Sequence, residues 1–242
     1  MSATPLAKTD HRPWKLPNRP WAMEQTWRDL LFAHWPISPQ QLRSLVPSCL
    51  ELDTFNGEGW ISITPFHMSI RFRGLPVLPG MSAIPELNFR TYVTVQNKPG
   101  VYFFSLDTVS HAAVWGARML YHLPYFHAQM RVRKDGYVIA YAFRRKNACW
   151  NGTYGPVGPI RSAAPQSLEH WLVERYCLYT VSGKHIYRGN IHHQPWVLQD
   201  ASVKIEENTI ARTHIPLMEY EPALVSISRE LKVLVWPLDR VR

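Results

Sequence analysis

Cysteine is scarce in this 242-residue chain, and Cys49, Cys149 and Cys177 are isolated and odd in number. Without C-x-x-C spacing they exclude a disulfide scaffold, a cysteine zinc site and a dithiol redox pair, and each reads as a small buried hydrophobe. Long apolar runs are missing too. No window reaches the roughly 18 to 20 residues a membrane span needs, and the opening MSATPLAKTDHRPWKLP lacks the apolar stretch of a secretory signal. The expectation is a soluble, cytoplasmic protein without a membrane partner. Glycine is sparse, with 12 residues against 20 prolines, and none builds a Walker loop, a dinucleotide fingerprint or a G-x-S-x-G elbow. Gly152, Gly155 and Gly158 instead read as part of a turn-rich loop from Asn151 to Pro159. Acidic residues are outnumbered, 18 against 27 Lys and Arg, for a formal charge of +9. The cations are dispersed, and the densest groups, Arg131, Arg133, Lys134 and Arg144, Arg145, Lys146, fit the solvated ends of one hairpin. Nucleic acid is therefore not an expected partner.

What the chain does have is 46% hydrophobic residues and ten tryptophans, ample apolar area for a packed core. Residues 1–20, rich in Pro and basic residues, read as an extended arm that is either free or covers a partner subunit; a homo-oligomer stays open. Thr26 to Trp35 places Trp27, Leu30, Leu31 and His34 on one helical face, ended by Pro36. Ser38, Ser110 and Ser167 are N-caps for short helices, the second running from His111 to Tyr121. The rest reads as strands. Leu50 to Phe55 and Trp60 to Phe66 make a hairpin across Asn56-Gly57-Glu58-Gly59, and Glu86 to Val95 pairs with Val101 to Leu106. Ala128 to Lys134 pairs with Tyr137 to Arg145, and Arg175 to Val181 with His185 to Ile191. Two more strands lie near Trp196 to Ile205 and Leu224 to Trp236. No repeat or linker divides residues 21–242, which read as one α+β domain of mainly antiparallel strands with a few short peripheral helices.

The most informative strand is Glu86 to Val93. Alternation sends Leu87, Phe89 and Val93 one way and Glu86, Asn88, Arg90 and Tyr92 the other, at roughly 7 Å steps. On a flat sheet this acid, amide, guanidinium and phenol form a wet face; in a barrel or cone the same row lines a cavity. There the arginine fork suits a carboxylate, and a nearby Glu suits polarisation of a carbonyl.

Further motifs follow in order: Glu86-Leu-Asn-Phe-Arg90-Thr-Tyr92-Val, Pro99-Gly-Val-Tyr-Phe-Phe-Ser-Leu-Asp107, Ala117-Arg118, Leu123-Pro124-Tyr125-Phe126-His127-Ala128, and the closing Val233-Leu-Val-Trp236-Pro-Leu. Together with Trp27 to Pro36 and Trp60 to Phe66, this succession resembles the YqjF-like family of uncharacterised bacterial proteins from about Trp21 onward. The resemblance implies an acetoacetate decarboxylase-like fold, a β-cone around a buried cavity with helices packed outside. Acetoacetate decarboxylase uses a lysine that forms a Schiff base with the keto acid, its pKa lowered by a second lysine. The resemblance places that pair after a helix with a Gly-Arg-Glu motif and a proline. Here Gly116-Ala117-Arg118 and Leu123-Pro124 lead to Tyr125 and Phe126, neither of which forms an imine. Schiff-base decarboxylation is therefore not expected.

The expected function is binding of a small organic acid or an aromatic or carbonyl-bearing ligand in the cone. Glu86, Arg90 and Tyr125 are the residues placed for chemistry, and Asn88, Tyr92, Arg118 and Phe126 are placed for ligand contact. One alternative is a lyase- or hydratase-type enzyme using Glu86, Arg90 and Tyr125, with a tyrosine as general acid. Another is an interaction protein whose aromatics fill the cone. The adjacent His192 and His193 face opposite ways on a strand, and His111, His122 and His127 lack ligand spacing. His34 reads as a packed histidine, so no metal and no cofactor are expected.

Overall fold

The computed structural model describes residues 8–210, 215 and 221–241, and these described residues are mostly strand with three short helices. In order these are β1 (Met23–Ile37), α1 (Pro39–Arg43), β2 (Glu51–Leu52), β3 (Gly59–Phe72), β4 (Ile84–Val95) and β5 (Lys98–Thr108). Then come α2 (His111–Tyr121), β6 (Tyr125–His127), β7 (Gln129–Asp135), β8 (Val138–Arg145) and β9 (Ala148–Pro156). The last are α3 (Leu168–Val173), β10 (Cys177–Ser182), β11 (His185–His193), β12 (Gln199–Asn208) and β13 (Leu224–Arg240). The sheet runs β1-β3-β4-β5-β10-β11-β13-β12-β9-β8-β7, and β13 also pairs with β1. That extra pairing closes seven strands into a ring, with β12, β9, β8 and β7 as an extension. Closure relies on a short parallel contact, Leu178 to Val101 and Tyr179 to Tyr102; apart from the parallel β5–β6 pair, the other ladders are antiparallel.

All three helices begin at the expected serines: Ser38 accepts from the Gln41 amide, Ser110 from Ala113 and Ser167 from His170. The β4–β5 hairpin turns at Gln96 and Asn97, both at positive φ, the backbone of a two-residue hairpin turn.

Three expectations are corrected. Thr26 to Trp35 is not a helix but the middle of β1. Asp29 sits at φ 53° and the β1–β3 register shifts between Arg28 and Ala33. A bulge inserts one residue and flips the alternation, so Met23, Gln25 and Trp27 share a face with Leu30 and Phe32. The Trp27-to-Leu30 spacing of three is this phase shift, not a helical turn. Leu50 to Phe55 does not pair with Trp60 to Phe66 either. Both edges of β3 are taken by β1 and β4, so β2 pairs with β4 and the Asn56-Gly57 turn closes only a Phe55–Glu58 bridge. Finally, Asn151 to Pro156 belongs to β9 rather than a loop. Its glycines serve close approach: a Cβ at Gly152 would lie 2.7 Å from the Lys204 carbonyl, and one at Gly155 2.6 Å from the Tyr137 carbonyl. Gly155→Ala is accordingly expected to cost about 1–3 kcal/mol through overpacking against backbone. Urea unfolding checks this, and an unchanged midpoint would contradict the crowding.

The described part of the arm is tied down. Arg12 is only 8% exposed; its guanidinium donates to the Ile191 carbonyl (2.8 Å) and stacks over Tyr176. Burial lowers its pKa to about 10. The Arg19 carbonyl accepts from the Trp236 indole at 2.7 Å. Residues 8–20 thus lie on β11 and β13, while residues 1–7 fall outside the described residues. No helix among the described residues is long and apolar enough to cross a membrane.

Candidate functional site

One face of the ring strands packs with β7, β8 and β9 into an apolar cluster that includes Leu87, Phe89, Val93, Tyr141 and Trp150. The opposite face surrounds a cavity of about 170 Å³ lined by residues from all seven ring strands together with α2. One cavity touched by all seven strands lies inside the ring. Aromatic residues wall it without filling it, so the filled-cone alternative does not describe this interior.

β4 supplies the polar wall. Glu86, Asn88 and Arg90 line the cavity, as alternation on an inward face requires. Tyr92 shares that face but lies one step beyond the lining. It is fully buried, its hydroxyl 2.6 Å from Ser62 Oγ, which is itself 2.6 Å from His34 Nδ1. The Tyr92 ring therefore acts as a fixed plate near Arg90, whose guanidinium carbon lies 5.9 Å from it and 5.5 Å from the Phe32 ring. Nε and Nη2 of Arg90 are buried with no hydrogen-bond partner among the described residues, and so is Oδ1 of Asn88. Buried polar atoms are ordinarily paired, so these point to a polar group that belongs in the cavity.

Glu86 is 2% exposed, and burial raises its pKa to about 8. The Tyr125 hydroxyl, 3.0 and 3.2 Å from the two carboxyl oxygens, and the Asn88 amide oppose that rise, while the negative field of Asp107 adds to it. Desolvation wins, because an unpaired carboxylate in an apolar interior costs more than one or two hydrogen bonds return. Glu86 is mainly protonated at neutral pH. Burial, and then Glu86 itself, pushes Tyr125 well above the usual phenol range, so its hydroxyl keeps its proton.

Arg118 and Phe126 are placed differently from their assignment to ligand contact. Tyr125 and Phe126 alternate on β6, so only Tyr125 points inward. Phe126 lies between the guanidinium groups of Arg118 and Arg145, at 5.2 and 4.1 Å. Arg118 Nε donates to the Tyr125 carbonyl at 2.7 Å. These two residues position Tyr125 from behind and, with Tyr92, fall outside the cavity lining.

Arg175, between α3 and β10, is the cavity residue that strand patterns did not reveal. It is 4% exposed, donates to Asp53 Oδ2 at 2.5 Å and to the Trp171 carbonyl at 2.6 Å, and stacks on Trp171 and Tyr92. Its Nη2 has no partner among the described residues. Burial lowers its pKa, with Asp53 opposing. Asp53 lies 122 positions earlier, so no local spacing marks the pair. His193 also lines the cavity and bonds the Arg175 carbonyl at 3.2 Å; burial lowers its pKa. His34 is held well below the usual histidine range by burial and by Arg90.

Arg175 is neutralised by Asp53, Glu86 is mainly protonated, and His193 is neutral near pH 7. Among the described residues, Arg90 is left as one cation of the cavity without an ion-pair partner. Every lysine of the chain lies among the described residues, and none lines the cavity. No three His, Cys, Asp or Glu side chains converge as a metal site among the described residues.

Comparison with known proteins agrees with this architecture. The chain is 50% identical over 230 residues to the "Uncharacterized protein YqjF" of Bacillus subtilis (strain 168), covering 93% of this chain and 95% of that one. The enduracididine biosynthesis enzyme MppR complexed with pyruvate superposes with a TM-score of 0.64 at 8% identity, over 93% of this chain and 91% of the other. The acetoacetate decarboxylase of Legionella pneumophila subsp. pneumophila str. Philadelphia 1 gives a TM-score of 0.60 at 14% identity, over 95% and 91%. These likenesses assign the fold, which is acetoacetate decarboxylase-like. Residues 24–232 match the DUF2071 family, described as an uncharacterized conserved protein. This chain belongs to that family.

Proposed function

We propose that the cavity binds a small monocarboxylic acid, held at its carboxylate by Arg90 with help from Arg175. The observation that carries this reading is Arg90, whose Nε and Nη2 are buried in the cavity with no hydrogen-bond partner among the described residues. A bidentate carboxylate satisfies both atoms of such a fork and neutralises the one uncompensated charge. Protonated Glu86, held by the Tyr125 hydroxyl, is then a donor for a carbonyl or hydroxyl oxygen on the same molecule. A structural neighbour that holds pyruvate supports the ligand class. The absence of any lining lysine supports chemistry other than a Schiff base.

A thermal-shift panel of pyruvate, acetoacetate, butanoate and benzoate tests this. A ligand at 100 times its Kd adds about 2.7 kcal/mol, a rise of about 5–10 °C for a chain of this size. The shift should vanish in Arg90→Met. No shift with any acid at several millimolar would overturn the reading.

A lyase- or hydratase-type enzyme is the second reading, and the buried Glu86–Tyr125 pair favours it: burial pushes the Glu86 pKa up to about 8, close to the pH at which a general acid works best. Turnover of a hydroxy or oxo acid that disappears in Glu86→Gln while binding persists would select the enzyme.

A further inference from the structure

The cavity is far longer than a three- or four-carbon acid. Its lining on β3 runs from Thr64 through Phe66, Met68 and Ile70 to Phe72, a stretch of strand roughly 26 Å long. The polar groups occupy only one end. Asn88 pairs with Thr64 and Glu86 with Phe66; beyond them the lining continues through Met68, Ile70 and Phe72 for roughly another 20 Å. Across β1 this far stretch faces Trp27, Gln25 and Met23, the register partners of Met68, Ile70 and Phe72. Gln25, the polar residue among them, bonds its own neighbours Met23 and Trp27.

The helix over this stretch is built to leave room. α2 turns Ala112, Ala113, Gly116 and Ala117 toward the cavity, and a Cβ at Gly116 would meet nothing within 4 Å. Glycine inside a helix lowers its stability relative to alanine or leucine, yet here no close contact requires it. Leu120, which also lines the cavity, is 66% exposed, so the cavity reaches the surface beside the last turn of α2. The buried end holds the groups that ask for a ligand: Arg175 and Asn88, each more than nine-tenths buried and each with an unpartnered polar atom.

We propose that the ligand is an amphipathic acid, a carboxylate bearing an unbranched apolar chain of medium length. Its head sits at Arg90 and Arg175, and its tail lies between β1, β3 and the small-residue face of α2. This rests on the acid-binding reading above and adds the substrate class. A short keto acid would fill only the polar end and leave the apolar stretch unused.

Calorimetric titration with butanoate, hexanoate and octanoate tests the tail separately from the head. In the unaltered protein each added methylene should tighten Kd about fourfold, so octanoate should bind about two orders of magnitude better than butanoate. Gly116→Leu, a substitution toward the better helix former, should weaken octanoate at least about tenfold while changing butanoate less than about twofold. Butanoate and octanoate binding equally well would overturn the tail and leave the head intact. Octanoate unaffected by Gly116→Leu would remove α2 from the tail site. No binding of any of the three acids would overturn both readings together. The chain-length series needs no variant, so a folding defect in Gly116→Leu does not shield the proposal.

Discussion

Glu86→Gln should stabilise the protein at alkaline pH by on the order of 5 kcal/mol and do progressively less as pH falls toward 5. The folded protein holds the Glu86 proton up to a pKa of about 8, whereas an unfolded glutamate releases it near 4.5. Between those values the native state binds a proton the unfolded chain lacks, so stability declines as pH rises. Above about 8 both states are ionised and the loss is complete; below 4.5 neither is, and the difference disappears. Glutamine carries no such titration and keeps an oxygen for the Tyr125 hydroxyl. Asp107, raised in the same direction by burial, is present in both proteins and cancels in the comparison. Urea unfolding at pH 5, 7 and 9 measures the gap between the two proteins. Parallel curves would show that Glu86 ionises normally in the folded state. The same titration bears on function, because an ionised Glu86 puts a second negative charge in the cavity that takes the acid, and acid binding should weaken above pH 8.

How much of this site could be read from the chain depends on how far apart its partners are in sequence. The Glu86, Asn88 and Arg90 row was legible because β4 keeps its alternation through these residues, and two-residue periodicity survives any curvature of the sheet. β1 was misread for the complementary reason. One inserted residue at Asp29 moves the inward face from Trp27 to Leu30, and that spacing of three also belongs to a helix. Tyr92 shows the limit of a correct face. Alternation places it beside Arg90, but only the closed ring decides that Ser62 and His34 cap its hydroxyl away from the cavity. Arg118 and Phe126 came from a motif comparison, which transfers positions along the chain but not the direction of a side chain on a three-residue strand. Arg175 was invisible to both approaches, since its inward position follows from Asp53, Trp171 and the closure of β10 on β5. Gly152 and Gly155 carried a real signal that was misassigned. Glycine marks close backbone approach as readily as a turn, and only the neighbouring strands β8 and β12 distinguish the two.

The two arginines of the cavity should respond oppositely to replacement by methionine. Arg175→Met is expected to destabilise the unliganded protein by about 3 kcal/mol, since it leaves Asp53 without its partner and removes the contacts over Trp171 and Tyr92. Asp53 keeps some access to water, with 19% of its side chain exposed, which holds the cost at the low end for a broken buried pair. Arg90→Met should change stability by less than about 1 kcal/mol, or raise it, because a half-buried guanidinium whose Nε and Nη2 find no hydrogen-bond partner among the described residues contributes desolvation cost and little else. The stack on Phe32 and Tyr92 is retained in part by the methionine side chain. In the presence of acid the ranking inverts: Arg90→Met should lose the ligand-induced rise in melting temperature, and Arg175→Met should keep the larger part of it, at conditions where both variants are folded. Unfolding curves with and without acid, measured on both variants, separate the roles. A large destabilisation by Arg90→Met would mean that its nitrogens are satisfied within the protein, and the argument for a carboxylate in the cavity would fall with it. Equal behaviour of the two variants would likewise leave no basis for assigning the free charge to Arg90. The division expected here is that Arg175, clamped by Asp53, builds the wall, while Arg90, left unpaired at the head of an apolar cavity, spends its charge on the ligand.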